Sequence, residues 1–146
     1  MFSKSTEYAL RAVIYIAQKS SEEKKLGIET IAKAIDSPRP FTAKILQSLT
    51  KDNKIVSSVS GPKGGFYMVE KAKKLPVWAV LDVMGEIEII EKCVLGLNQC
   101  SEAKPCPMHS QYKSIKQQLI VLFQTKTIQQ LAEDTAGGGI FINNLN

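Results

Sequence analysis

The chain has 146 residues, 44% of them hydrophobic and 23% charged, with a formal net charge of +5. That length suits one domain, or one small domain with an appendage, and it buries a core without disulfide staples. No apolar run reaches the length of a bilayer span, and an odd count of three cysteines does not suit a disulfide framework.

The first stretch, MFSKSTEYALRAVIYIAQ, carries Glu7 and Arg11 among its apolar positions and lacks a small-residue cleavage site. It reads as a helix and not as a signal peptide, so the expected location is the cytoplasm, where thiols stay reduced. Charge is uneven along the chain. Residues 1–74 hold 14 Lys/Arg against 7 Asp/Glu, a net of +7, whereas residues 75–146 hold 5 against 7, a net of −2. The basic first half points to a polyanion as the partner of that half alone.

Ala9, Ala12, Val13, Ile16 and Ala17 fall at helical spacing and predict an amphipathic helix over 5–19. After the polar SSEEKK, the residues Ile28, Ile31, Ala32 and Ile35 predict a short helix with one buried face. Ser37 before Pro38 has the form of an N-cap followed by a first-turn proline. A third helix is predicted from there to about Lys51, burying Phe41, Ile45, Leu46 and Leu49 and exposing Arg39, Pro40, Ala43, Lys44 and Gln47. Two short helices meeting at a tight turn outline a helix-turn-helix, although any small helical bundle fits the same pattern.

The next stretch separates these readings. In KIVSSVSGPKGGFYMVEK two β-forming runs flank the turn cluster SGPKGG. A hairpin directly after a recognition helix makes a winged helix. The helix is narrow enough for the major groove, where base edges are distinguishable. The wing would carry Lys63 to phosphates or the minor groove. A nucleotide-binding loop does not fit, because no Lys-Ser/Thr pair follows and the next element is a strand.

LPVWAVLDVMGEIEII predicts a short helix ending near Gly85, with Trp78 in the core. From Ser110 a longer helix is expected. Tyr112, Ile115, Leu119 and Leu122 recur at spacings of three, four and three, and Ile120, Val121 and Phe123 widen the apolar surface. A second copy of the chain is the economical cover for this surface, through Tyr112, Ile115, Leu119, Leu122 and Phe123. Packing on its own winged helix is the alternative. Thr127 and Gln130 stand in the capping-box relation and predict a further short helix. The tail GGGIFINNLN is expected to be flexible.

Every cysteine and the only histidine lie in IEKCVLGLNQCSEAKPCPMH, residues 90–109. Six residues separate Cys93 from Cys100, five separate Cys100 from Cys106, and two separate Cys106 from His109. Thiolates suit iron–sulfur clusters and zinc. Three cysteines and a histidine would complete a tetrahedral zinc site, but no tight Cys-x-x-Cys knuckle occurs, and the wide steps suit a loop around a larger object. Three unconnected thiols are the remaining option. Nothing supplies the orienting residue, donor hole and pocket of a Cys–His nucleophile, so the chain is not expected to be an enzyme.

Together EYALRAVIYIA, IETIAKAI with PRPFTAKILQSL, the wing IVSSVSGPKGGFYMV, VWAVLDVMGEIEI and the three-cysteine loop resemble the Rrf2 family of bacterial winged-helix transcription regulators. The resemblance covers almost the whole chain and implies a mainly α fold with a small β-hairpin wing (α+β). It divides the chain into a winged helix-turn-helix domain over 1–75, a connecting helix over 76–90 and a cysteine loop over 91–109. A dimerisation helix with a following short helix takes 110–136, and the tail 137–146. A homodimer bound to a palindromic DNA operator is implied. Expected DNA-facing residues are Arg39, Thr42, Lys44, Gln47, Ser58 and Lys63.

In cluster-binding members of the family the three loop cysteines hold iron, which here means Cys93, Cys100 and Cys106. The fourth ligand matches either His109 or a partner's Glu7, with His109 favoured for a two-iron two-sulfur cluster over a four-iron four-sulfur one. The implied function is a redox, nitric-oxide or iron–sulfur sensor, most simply a repressor. The alternatives are a clusterless thiol- or partner-sensing repressor of the same family and a zinc-stabilised interaction module. The chain departs from the family in the six-residue first interval, where several members have five. Ser60 also replaces a common arginine, Pro40 and Ala43 lie on the recognition helix, and KDNKIV is one residue longer than the usual link.

Overall fold

The apolar row of the first predicted helix becomes the centre of the core. In a computed structural model that describes residues 1–97 and 102–136, α1 spans Lys4–Lys19. Ala9, Ala12, Val13 and Ile16 are buried along one face. Complete burial of a side chain such as Ile16 is worth about 1.5–3 kcal/mol. The alanines keep that face narrow, and α1 packs on both α3 (Arg39–Leu49) and α8 (Ile128–Ala136). The expectations for Cys100 and for the tail 137–146 lie outside the described residues.

Helix α2 spans Ile28–Ala34 and buries Ile31 and Ala32. The turn to α3 passes through Asp36 at φ 54°, a left-handed conformation that aspartate tolerates. The cap differs from the expectation. Pro38, not Ser37, holds the N-cap position, and Pro40 sits in the first turn. Ser37 is buried, and its hydroxyl takes part in a hydrogen bond with that of Thr42.

After a 3-10 turn at Lys51–Asn53 the chain enters β1 (Ser57–Val59), antiparallel to β2 (Gly65–Tyr67), with Ser58 opposite Phe66. Within KDNKIV the chain turns at Asp52 and Asn53, at φ 57° and 48°, residue types that accept this backbone. Leu26 and Phe66 exchange two backbone hydrogen bonds of 2.8 Å, which fastens the hairpin to the segment before α2. A Cβ on Gly64 would stand 2.0 Å from the carbonyl oxygen of Val59, so the wing turn closes only around glycine.

Three short helices follow: α4 (Glu70–Lys73), α5 (Val77–Val83) and α6 (Ile87–Glu91). Then α7 runs from His109 to Thr125 with much of its surface exposed. The chain returns through α8. The Thr127 amide donates to Gln130 Oε1 at 2.9 Å and the Gln130 amide donates to Thr127 Oγ1 at 3.1 Å, the reciprocal pair expected of a capping box. Backbone bonds Val77 N to Lys126 O and Ile128 N to Leu75 O, at 2.9 and 3.0 Å, lock this junction beside α5. Ile128 and Ala132 then bury against the main core. Among the described residues no helix is long and apolar enough to cross a membrane.

Candidate nucleic-acid interface and cysteine loop

Helix α3 turns Thr42, Ile45, Leu46 and Leu49 inward, a spacing of three, four and seven from the first. Its outer face therefore carries Pro40, Lys44 and Gln47, with Phe41 on one flank and Ala43 on the other, all exposed. Arg39, also exposed, donates from Nε to Glu29 Oε1 of α2 at 2.5 Å. Ser58 and Lys63 are exposed on the wing, and the Ser58 amide is held by Asn53 Oδ1 at 3.3 Å. The hairpin follows α3 directly in the chain, after the 3-10 turn.

The cysteine loop begins after α6. Cys93 is buried, and its carbonyl accepts from Gly96 in a tight turn. Cys106 and His109 line one cavity of about 310 Å³ with Val94, Glu102 and Tyr112. The His109 amide donates to the Cys106 carbonyl at 3.0 Å, which seats the imidazole at the first residue of α7. His109 Nε2 lies 3.4 Å from Glu102 Oε1, and Lys113 pairs with the same carboxylate. The Lys113 hydrogen bond, then that of His109, holds the Glu102 carboxyl below its ordinary pKa. Lys116 also donates to the Glu91 carbonyl at 2.8 Å, so α7 holds the loop at its start and again at Glu102.

A cysteine sulfur and an imidazole at one cavity are donors of the kind that soft and borderline metals take. Among the described residues no group of three His, Cys, Asp or Glu side chains stands close enough to hold a metal ion. Cys100, the donor that would join them, lies outside those residues. No disulfide joins Cys93 and Cys106.

The Rrf2 family, described as "Iron-dependent Transcriptional regulator", matches residues 2–134. The chain belongs to the Rrf2 family. A protein of Aquifex aeolicus (strain VF5) named as an HTH-type transcriptional regulator is 35% identical over 133 residues, 90% of each chain. The HTH-type transcriptional regulator NsrR of Geobacillus kaustophilus (strain HTA426) is 25% identical, over 90% of this chain and 88% of its own. Among solved structures, CymR, the global cysteine regulator of B. subtilis, superposes with a TM-score of 0.73 at 16% identity, covering 92% of this chain and 98% of its own. IscR of T. potens gives 0.71 at 17% identity, over 97% and 92%. These likenesses establish a winged-helix Rrf2 fold and membership of a family of DNA-binding transcription regulators.

Against this Rrf2 frame several expected site residues move. Thr42 does not face outward: it is fully buried, and its hydroxyl reaches the Pro38 carbonyl at 3.1 Å. Phe41, expected in the core, is instead 50% exposed. Phe123 packs within the protomer, its ring centroid 5.6 Å from that of Phe2, in a cluster with Val77, Leu81 and Ile90. Tyr112 lines the Cys106–His109 cavity and Leu119 is half-buried. Ile115, Val121 and Leu122 remain exposed on the far side of α7. Glu7 is exposed in the first turn of α1, 4.0 Å from Lys4.

Sequence reasoning missed two carboxylates. Glu102 ties the loop to α7. Glu86 is buried and accepts from the Thr6 hydroxyl and the Ser3 amide, which binds the α5–α6 turn to the start of α1. Neither stands in a motif. Position among other glutamates gives no sign of burial.

Proposed function

We propose that this Rrf2 regulator acts as a homodimer on palindromic operator DNA and takes an iron–sulfur cluster at its cysteine loop. Cys93, Cys100 and Cys106 would hold the cluster, with His109 as the fourth ligand and a partner's Glu7 as the competing one. The observation that carries this reading is the order of features along α7. Cys106 and His109 meet at its start, and the exposed Ile115, Val121 and Leu122 follow along its length. The family description as an iron-dependent regulator supports an iron ligand for those thiols.

When bound, a cluster supplies a redox- or nitric-oxide-reactive group with one exchangeable non-thiolate corner. The chain's own part is mechanical. Glu102, Lys113 and the Lys116–Glu91 contact transmit the order of the loop to the first turns of α7. A change there alters how two α7 helices meet, and with them the spacing of two α3 helices. Two dimer geometries of different DNA affinity result.

Anaerobic purification with an absorption spectrum, iron and sulfide analysis, and a DNA-binding comparison of holo and apo protein tests the reading. Brown protein with visible charge-transfer bands and unequal holo and apo affinities is expected. Colourless protein with stoichiometric zinc overturns it in favour of a zinc-stabilised module. Colourless metal-free protein whose DNA affinity responds to thiol oxidation overturns it in favour of the clusterless sensor. DNA affinity itself should fall steeply with salt, because phosphate contacts release counterions.

A further inference from the structure

Helix α3 exposes an unusual set of side chains for a helix that reads DNA. Its N-terminal half, the part of a recognition helix that approaches base edges, presents Pro40, Phe41 and Ala43. None of these has a side-chain hydrogen-bond donor or acceptor. Phe41 is half-exposed, and its ring leans on that of Tyr8, at 6.4 Å between ring centroids. On the other flank a groove of about 480 Å³ runs between α3 and the wing, its lining including Pro40, Ala43, Lys44, Gln47, Thr50 and Phe66. The only arginine of the helix, Arg39, is turned to Glu29, which draws it away from the bidentate guanine contact that arginine makes best. The surroundings are nonetheless cationic: Lys44 on the helix, Lys63 at the wing tip, and Lys4 and Arg11 about Tyr8 at 5.5 and 5.1 Å from its ring centroid.

Apolar side chains spread across the outer face of α3 and framed by cations fit one feature of duplex DNA. Thymine is the base whose major-groove edge carries a methyl group, and alanine and phenylalanine are side chains that contact it. Gln47, two turns along the same outer stripe as Pro40 and Lys44, has the paired donor and acceptor that match adenine N7 and N6. We propose that Pro40, Phe41 and Ala43 read thymine methyl groups and Gln47 reads adenine, so that each operator half-site is built on A·T pairs. The proposal rests on the DNA-binding reading above and names what that interface selects.

The test begins with duplexes selected from a random library by the full-length chain. Selected half-sites should be A·T-dominated at the positions facing α3. Thymine is then replaced by uracil at those positions, which deletes only the methyl. Affinity should fall roughly fourfold per contacted methyl, the equivalent of one buried methylene. Gln47→Ala should weaken binding about tenfold and relax selection at one position. Phe41→Ala should lower affinity for thymine duplexes and erase the uracil penalty at one position, with an unchanged melting temperature because the ring is half-exposed. Salt-sensitive DNA binding that is indifferent to uracil, or half-sites dominated by G·C pairs, overturns this proposal and leaves the DNA-binding reading intact. A Phe41→Ala protein that changes its oligomeric state but not its DNA affinity also overturns it. Absence of any DNA binding overturns the broader reading instead.

Discussion

The hydroxyl of Thr6 donates a 2.6 Å hydrogen bond to the buried carboxylate of Glu86. The same oxygen accepts the Ser3 amide at 3.0 Å, and Ser3 in turn caps α1 through the Thr6 amide. A carboxylate at a helix N-terminus is favoured by the exposed amides and by the helix dipole. It joins the start of α1, beside Glu7, to the turn between α5 and α6, the helix that precedes the cysteine loop.

This pair makes stability depend on acid. Burial raises the pKa of Glu86, but the hydrogen bonds from Thr6 and Ser3 outweigh it, and the net pKa lies below the ordinary 4.5. A pKa lower in the folded than in the unfolded chain means stabilisation that is complete above the unfolded value and disappears as pH falls through the folded one. Glu86→Gln should therefore cost about 1–2 kcal/mol near neutral pH. In urea denaturation the gap to the wild type should close below pH 4.5. A gap of the same size at every pH would mean that the charge of Glu86 is not what holds the turn.

The wing offers a backbone test. At Gly64 an added Cβ meets the Val59 carbonyl oxygen at 2.0 Å and two further backbone carbons at 2.8 Å, and backbone cannot rotate away as a side chain would. Gly64→Ala should open the turn around Lys63 and destabilise the protein by roughly 2 kcal/mol. DNA affinity should fall while the helical circular dichroism at low temperature is retained, since α1, α2 and α3 do not depend on the tip. Unchanged affinity would remove the wing from the interface.

Much of this architecture is legible in the sequence, for a physical reason. The rows of α1 and α2 repeat at the helical period, the Thr127–Gln130 box is a local motif, and SGPKGG has the composition of a tight turn. Each signal is contained in a few neighbouring residues. The failures are of another kind. Phe41 and Thr42 exchange their expected environments although Ile45, Leu46 and Leu49 are buried as expected: Thr42 completes their helical row, but a polar side chain on that row gives no hydrophobic signal. The threonine hydroxyl meets the cost of burial by bonding to the Pro38 carbonyl. Phe123 lies next to Leu122 in sequence, yet it turns to Phe2, more than a hundred residues away in the chain. Glu86 depends on a helix end some eighty residues earlier. Long-range partners leave no periodic trace.

The two faces of α7 give a contrast that separates folding from dimerisation. Leu122 and Ile115 are about half-exposed in the protomer, at 51% and 54%, whereas Phe123 is packed in its second core cluster. Leu122→Asp should leave the protomer folded. It should raise the dimer dissociation constant on the order of 100-fold or more, because symmetry loses one buried leucine from each side and adds two charges. Sedimentation equilibrium reads this directly. Phe123→Asp should lower the melting temperature instead. A Leu122→Asp protein that remains dimeric at micromolar concentration would move the interface to another face.

The fourth ligand can be assigned by comparing two side chains that differ in reach. The His109 side chain is only 10% exposed and shares its cavity with Cys106, so its imidazole needs no second subunit to stand beside that cysteine. Glu7 stands exposed on α1 beside Lys4, and the Thr6–Glu86 bond keeps that helix end in place. It would enter a site only across a dimer. After anaerobic reconstitution, His109→Ala should shift the visible absorption bands and speed iron loss to a chelator about tenfold or more, within the range for a missing ligand-shell partner. Glu7→Gln should leave both unchanged. Because His109→Ala also removes a neighbour of Glu102, its thermal stability as apo protein is measured in parallel, and equal apo stability assigns the spectral change to ligation. The reverse pattern, an altered spectrum in Glu7→Gln alone, would assign the ligand to the partner's α1 and make dimerisation a requirement for cluster binding.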